Sequence, residues 1–338
     1  MSTILVTGAS GYIAKHVVLR LLRAGHAVRG SVRTPAKAEA LHAAMARHAP
    51  GAADRLSTVE LDLTRDDGWR DAADGVDALL HTASPFPLTQ PRDKHAVIRP
   101  AVEGARRAIA AARDAGVGRV VLTSSAAAVG ESPSKPGQGP FDEGDWSDAD
   151  DPRITPYSAS KTLAERAAWD MVAAEAEDVR LTVINPGFVL GAPLDGDTGT
   201  SLAVVERILS GKDPMVPRIG FATVDVGDIA EMHLRALDRP GTEGRRLIGT
   251  GDFLWFGDMA DTLAQAFPER RVTTRRGPDM MVRLMGLFDP AVKSVVPSLG
   301  VRREFDTAPA RELLGLSFRD PRDSLVEAAR WLVDQGRV

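Results

Sequence analysis

Thr3-Ile4-Leu5-Val6-Thr7-Gly8-Ala9-Ser10-Gly11-Tyr12-Ile13-Ala14 decides the fold of this chain. A short β-branched run enters a turn with two glycines, and a helical pattern with apolar Val17-Val18 and Leu21-Leu22 leaves it. Strand, glycine turn and amphipathic helix in that order aim backbone N–H groups and the positive end of a helix dipole at one point, which is how a pyrophosphate is held. The spacing is Gly-x-x-Gly-x-x-Ala, one residue longer between the first two glycines than the commonest dinucleotide pattern. Ala14 takes the third place, where the need is close helix-to-strand packing and a methyl is tolerable. Gly8, Ser10, Gly11, Tyr12 and Ile13 are the candidate cofactor contacts of this turn. A lone glycine motif is weak evidence, and its place directly after the first strand gives it weight.

Outward from the turn, apolar strand-like runs alternate with helical stretches, the pattern of a parallel sheet covered on both faces. Strands are expected at 3–7, 27–32, 57–61, 78–81, 119–123 and 180–184, and helices at 12–24, 36–47, 97–115 and 158–175. Gly25 and Gly116 stand where helix C-caps belong. After Asn185 the rhythm breaks, and strand-like 223–226 and 246–249 are expected to return to the main sheet. The fold class is therefore α/β: a doubly wound parallel sheet of Rossmann type with a smaller mixed α/β substrate-binding region. The expected division is 1–188 for the dinucleotide-binding part, with 222–250 returning to it, and 189–221 plus 251–338 for the smaller region. The long loop 131–156 reads as a lid or pocket wall.

The end of the second strand separates the two common dinucleotides, since an acid there suits the free ribose of NAD and a cation suits the extra phosphate of NADP. This chain has Arg33 and Lys37 there, with no acid before Glu39. NADPH is the expected cofactor, its phosphate shared by the planar fork of Arg33 and the point charge of Lys37. Asp62, followed by Leu63, is placed to accept from an adenine amine, although an acid at a strand end is also a routine turn residue.

Tyr157 and Lys161 are four residues apart and so share one face of a helix. A phenol titrates near ~10 unless a nearby positive charge favours the phenolate, and Lys161 is placed to supply that charge. The chain holds only two tyrosines, and the other is Tyr12 of the glycine turn.

Composition removes other chemistries. The 338 residues carry a net charge of -4 and no cysteine, which excludes disulfides, thiolate metal sites and cysteine nucleophiles. Arg106-Arg107, Arg245-Arg246 and Arg275-Arg276 read as solvated faces rather than a nucleic-acid surface. The seven histidines are scattered, no metal-ligand set forms, and the acidic run 142–151 lacks calcium-loop spacing. Ser124-Ser125 lacks the glycine elbow of a hydrolase nucleophile. Met280, Met281, Met285 and Phe288 at helical spacing read as core or as the lining of an apolar pocket. With no membrane-length apolar run and no charged leader, no membrane partner and a cytoplasmic location are expected.

Six motifs occur in order: 7–13, Asp62-Leu63, His81-Thr82-Ala83-Ser84-Pro85, Leu122-Thr123-Ser124-Ser125-Ala126, 157–165 and Asn185-Pro186-Gly187. With them residues 1–250 resemble the extended short-chain dehydrogenase/reductases, in the branch of dihydroflavonol reductases, cinnamoyl-CoA reductases and NADPH-dependent aldehyde or carbonyl reductases. The resemblance implies a serine-tyrosine-lysine apparatus that reduces an aldehyde or ketone. Ser125 would bind the carbonyl, Tyr157 donate the proton, and Lys161 lower the tyrosine pKa and bind the nicotinamide ribose. It places Ser124, Pro186 and Val189 beside the nicotinamide, Ser201 near the phosphates, and Thr82, Ala83 and Ser84 along the cofactor. The partner is a small carbonyl compound, and the assembly a monomer or homodimer. Other readings are an NAD-dependent nucleotide-sugar epimerase or dehydratase, a 3-beta-hydroxysteroid-type dehydrogenase, and a non-catalytic NADP-binding sensor. Two departures matter. The only asparagine is Asn185, so no asparagine lies in helix 97–115 to relay protons. Gly130 stands five residues after Ser125, where the plant dihydroflavonol reductases carry Asn or Asp, which argues against a flavonoid. Phe86, the 131–156 loop and the smaller region would choose the substrate.

Overall fold

Central strands of a sheet buried on both faces are rich in apolar residues, and here Ala78–His81 (β4) and Arg119–Thr123 (β5), together with the edge strand Arg246–Gly249 (β9), are buried along their whole length. The computed structural model describes residues 1–84, 93–132, 138–288, 292 and 296–338. Pro85, Phe86 and part of the 131–156 loop lie outside the described residues.

The other main-sheet strands are Thr3–Thr7 (β1), Ala27–Val32 (β2), Leu56–Glu60 (β3) and Arg180–Pro186 (β6). All pairings are parallel, in the order β3-β2-β1-β4-β5-β6-β9. Period-two alternation sends neighbouring side chains to opposite faces. Ile4, Val6, Leu80 and Val121 join one core, and Leu5, Leu79 and Val120 the other. The first face is covered by Tyr12–Arg23 (α1), Pro35–His48 (α2) and a later helix, Val226–Asp238; the second by His95–Asp114 (α4) and Pro156–Glu175 (α6), with the short Trp69–Ala73 (α3) beside them. Sheet order reverses between β1 and β4, and in open α/β sheets ligands bind in the crevice at that point, beyond the carboxyl ends of the strands. Gly25 and Gly116 take positive φ, 93° and 71°, at the ends of α1 and α4, as their cap positions require.

Of the two strands expected to return to the main sheet, only β9 does, pairing with β6. Gly220–Asp225 (β8) instead pairs parallel with Phe188–Leu190 (β7) and antiparallel with Phe253–Trp255 (β10). The cause is Gly187. A Cβ there would sit 2.3 Å from the Ala222 carbonyl oxygen and 2.9 Å from Thr250 Cγ2, so the bare backbone lets the chain leave β6 and run against β8. Gly199–Leu209 (α7), Phe256–Ala266 (α9) and the C-terminal Pro321–Asp334 pack on this small sheet around Leu190, Val205, Leu254, Met259 and Leu332.

The methionine-rich stretch is not core. Asp279–Met285 (α10) is a two-turn helix that buries Val282 and half-buries Met285, while Met280 and Phe288 are more than four-fifths exposed. Among the described residues no helix is long and apolar enough to cross a membrane.

Candidate active site

At the switch point the glycine turn is held from both sides. Gly8 takes a φ of 64°, open to glycine at no steric cost, and a Cβ on it would stand 2.9 Å from the Ala83 backbone. Its N–H donates to Ser31 Oγ at 3.1 Å, and Ala9 N–H donates to the Ser31 carbonyl at 2.9 Å. Thr82 Oγ1 donates to the Thr7 carbonyl at 2.5 Å and Ala83 N–H to Thr7 Oγ1 at 3.3 Å, tying the β4 exit to the turn. Gly11 is the N-cap of α1 and offers no side-chain acceptor to its first turn. The N–H groups there are thus left for an anion, so the turn fits a dinucleotide pyrophosphate.

Around this turn the remaining expected cofactor residues take these places. Arg33 is exposed at the end of β2 and acts electrostatically on Asp62. Asp62 accepts from Thr64 N–H and Oγ1, both at 2.8 Å, and these bonds hold its carboxyl below the ordinary range; its turn role is therefore real. The Leu63 side chain packs over Gly104 of α4, where a Cβ would stand 2.7 Å from Leu63 Cδ2. Lys37 is exposed and its ammonium pairs with Asp197 at 2.9 Å. Tyr12 turns its hydroxyl away from the turn to donate to the Gly191 carbonyl at 2.8 Å, and its ring meets Gly199 at the start of α7, the helix that carries Ser201. Ser10, Ile13 and Ser84 are half-buried, and Pro186 and Val189 are buried on β6 and β7.

The candidate catalytic groups converge from two elements. Ser125 follows β5, and Tyr157 lies in the first turn of α6, which starts at the Thr155 cap. The Tyr157 phenol is hydrogen-bonded to the Ser125 side chain, and Lys161 Nζ is 5.9 Å from the Tyr157 ring centre. Burial pushes the phenol up to about 12; the Ser125 hydrogen bond opposes this and Glu131 adds to it. Burial also brings the Lys161 ammonium down to about 8, against the pull of Glu165. Desolvation and Glu131 thus raise the phenol, and the lowering expected from the Tyr-x-x-x-Lys spacing comes instead from the Ser125 hydrogen bond. His81, buried and 2.9 Å from Thr7 Oγ1, is depressed to about 3 by burial and by Lys161, and stays neutral.

Sequence reasoning missed what lies beneath. Glu165 is fully buried and accepts from Ser124 Oγ at 2.5 Å, Asn185 Nδ2 at 2.8 Å and Arg246 Nε at 2.6 Å. Asn185 Nδ2 also donates to the Ser125 carbonyl at 3.2 Å. Arg246, read as a solvated cation, is 7 % exposed, donates to the Glu143 carbonyl at 3.0 Å and lies 3.7 Å over the Trp146 ring. The correction follows from strand alternation: Arg245 is exposed, and its neighbour at the start of β9 must point inward. The available signal was Glu165, one more helical turn beyond Tyr157 and Lys161 on the same face. Among the described residues no group of three or more His, Asp or Glu side chains is placed to hold a metal ion.

Comparison with known proteins agrees with this architecture. The NAD dependent epimerase/dehydratase family matches residues 4–248. Cinnamoyl-CoA reductase 2 of Arabidopsis thaliana is 35% identical over 335 residues, covering 98% of this chain and 93% of its own. Dihydroflavonol 4-reductase of Zea mays is 32% identical over 283 residues, covering 81% and 76%. The yeast methylglyoxal/isovaleraldehyde reductase Gre2, solved in complex with NADPH, superposes with a TM-score of 0.80 at 28% identity over 99% of this chain and all of its own. The resemblance read from the six motifs is thereby met, and the chain belongs to the NAD dependent epimerase/dehydratase family.

Proposed function

We propose that the protein is an NADPH-dependent reductase that converts an aldehyde or ketone to an alcohol. One observation carries the reading: the hydrogen-bonded Ser125–Tyr157 pair, with Lys161 one helical turn on, stands at the carboxyl ends of the strands beside the glycine turn. Gly8, Ser10, Gly11 and Ile13 would hold the pyrophosphate, Arg33 and Lys37 the ribose phosphate, Asp62 and Leu63 the adenine side, and Thr82, Ala83, Ser84, Ser124, Pro186, Val189 and Ser201 the rest of the cofactor. NADPH, when bound, supplies hydride. Ser125 donates a hydrogen bond to the carbonyl oxygen, and Tyr157 gives its proton to that oxygen as negative charge develops, general acid catalysis of a kind worth ~10²–10⁴ in rate. A phenol held at about 12 carries its proton at neutral pH, the state that reduction requires. Lys161 stabilises the phenolate left behind. Support for NADPH comes from the Gre2 complex and from the absence of an acid at the end of β2.

The test is a panel of aldehydes and ketones, methylglyoxal and isovaleraldehyde among them, followed by NADPH absorbance with NADH alongside. Tyr157→Phe is expected to leave NADPH affinity within about twofold and to cut turnover at least ~10²-fold. Surviving turnover would mean that the proton donor is another group. Purified protein carrying tightly held oxidised NAD would instead favour the epimerase reading.

A further inference from the structure

We infer that Glu165 is a positioning residue of the active site, holding the Lys161 ammonium in place across a small, half-open cavity sized for one water. The inference rests on the reading that Tyr157 and Lys161 serve the reduction. Tyr157, Lys161 and Glu165 repeat every four residues along α6, so they form one stripe, in which Lys161 and Glu165 are buried and Tyr157 is half-buried. Lys161 is 7 % exposed, and no side chain among the described residues hydrogen-bonds its ammonium. Beside it lies a cavity of about 20 Å³ whose polar lining is His81, Ser84, Thr123, Ser124, Lys161 and Glu165. A buried water needs roughly 10–15 Å³ and two to four polar partners, and this cavity meets both conditions. Glu165 itself does not move freely, since three donors from the ends of β5, β6 and β9 fix both its oxygens.

That rigidity matters because an ammonium with no fixed partner would wander along its four-carbon stem. The other titratable groups near Lys161 are His81 from β4 and Tyr157 from α6; Arg246 of β9 reaches it only across Glu165, and Glu131 acts on Tyr157. His81 is neutral and Tyr157 protonated near neutral pH, so Glu165 supplies the negative charge. Removing that charge leaves burial unopposed, and the ammonium then loses its proton at lower pH.

The experiment titrates Lys161 by its Cε resonance in ¹³C-lysine-labelled protein, assigned with Lys161→Met, and records the thermal midpoint in parallel. Wild-type protein is expected to titrate near pH 8. In Glu165→Gln the acid dissociation constant of Lys161 is expected to rise about tenfold, and the alkaline limb of the kcat profile with methylglyoxal and NADPH to move down in step. A folded Glu165→Gln protein with an unmoved Lys161 midpoint overturns the inference and leaves Glu165 a packing residue. If that variant does not fold, Glu165→Gln/Arg246→Met removes both charges together, a change buried pairs tolerate, and carries the same expectation and the same overturning result. Turnover in Tyr157→Phe would sink the reading of the site while leaving the Lys161 titration untouched, so the two failures are distinguishable.

Discussion

Lys161 keeps its charge at a cost to the fold. Burial brings its pKa from 10.5 to about 8, so between those values the unfolded chain binds more protons than the folded one and stability rises with pH. Below about pH 8 the penalty is present in full, worth about 3 kcal/mol by the size of the shift. Lys161→Met, similar in volume and uncharged, is therefore expected to raise stability at pH 7 by up to about 3 kcal/mol while abolishing turnover. Chemical denaturation at pH 7 and pH 10 checks this, and the gain over wild type should shrink at the higher pH as Lys161 sheds its proton. Tyr157 has the opposite sign: its phenol is raised from 10.0 to about 12, so its contribution is present below about pH 10 and is lost as pH rises towards 12.

Single elements explain what sequence reading reached and what it could not. Helix α6 was legible because Tyr157 and Lys161 share a face, and the glycine turn because strand, turn and helix follow within twelve residues. Arg246 was misread because two adjacent arginines look like one surface patch until a strand sends them to opposite sides. The placement of β8 escaped because it depends on what approaches Gly187, a contact between residues far apart in sequence. Gly130 shows the same limit. It ends the short helix Ala127–Gly130 (α5), and a Cβ there would stand 2.6 Å from Phe141 Cδ2 and 2.8 Å from Phe305 Cε1. The glycine is therefore demanded by an aromatic pair with ring centres 5.8 Å apart, quite apart from any preference for one substrate. Gly130→Asn is expected to destabilise by about 1–3 kcal/mol, the usual cost of overpacking, seen as a lower urea midpoint with an unchanged slope.

At the scale of the molecule, the segment Gly191–Gly199 straps the small sheet to the nucleotide half. Tyr12 donates to the Gly191 carbonyl, His48 Nε2 lies 3.0 Å from the Leu194 carbonyl, Lys15 pairs with Asp195 at 2.5 Å and Lys37 with Asp197 at 2.9 Å. The two ion pairs differ in burial, 3%/19% for the first against 46%/39% for the second. Asp195→Asn strands a buried ammonium and is expected to cost about 1–3 kcal/mol, below the full penalty because Asp195 is partly wet. Asp197→Asn, at an exposed pair, should change the denaturation midpoint by no more than about 1 kcal/mol. Equal effects would mean that the strap is held by its backbone contacts.

The Phe141–Phe305 contact sets an order of assembly. Phe141 N–H donates to the Glu304 carbonyl and Asp306 N–H to the Phe141 carbonyl, so the wall behind α5 is closed by chain made long after Ser125 and Tyr157. At the ~5–20 residues per second of translation, the roughly 150 residues between Tyr157 and Phe305 take on the order of ten to thirty seconds to appear. During that interval the ribosome holds a nascent chain whose glycine turn and α6 are already synthesised while the Phe141 ring still waits for its partner. Premature chain ends before Phe305 would leave that ring bare to water and to the quality-control machinery that reads such surfaces.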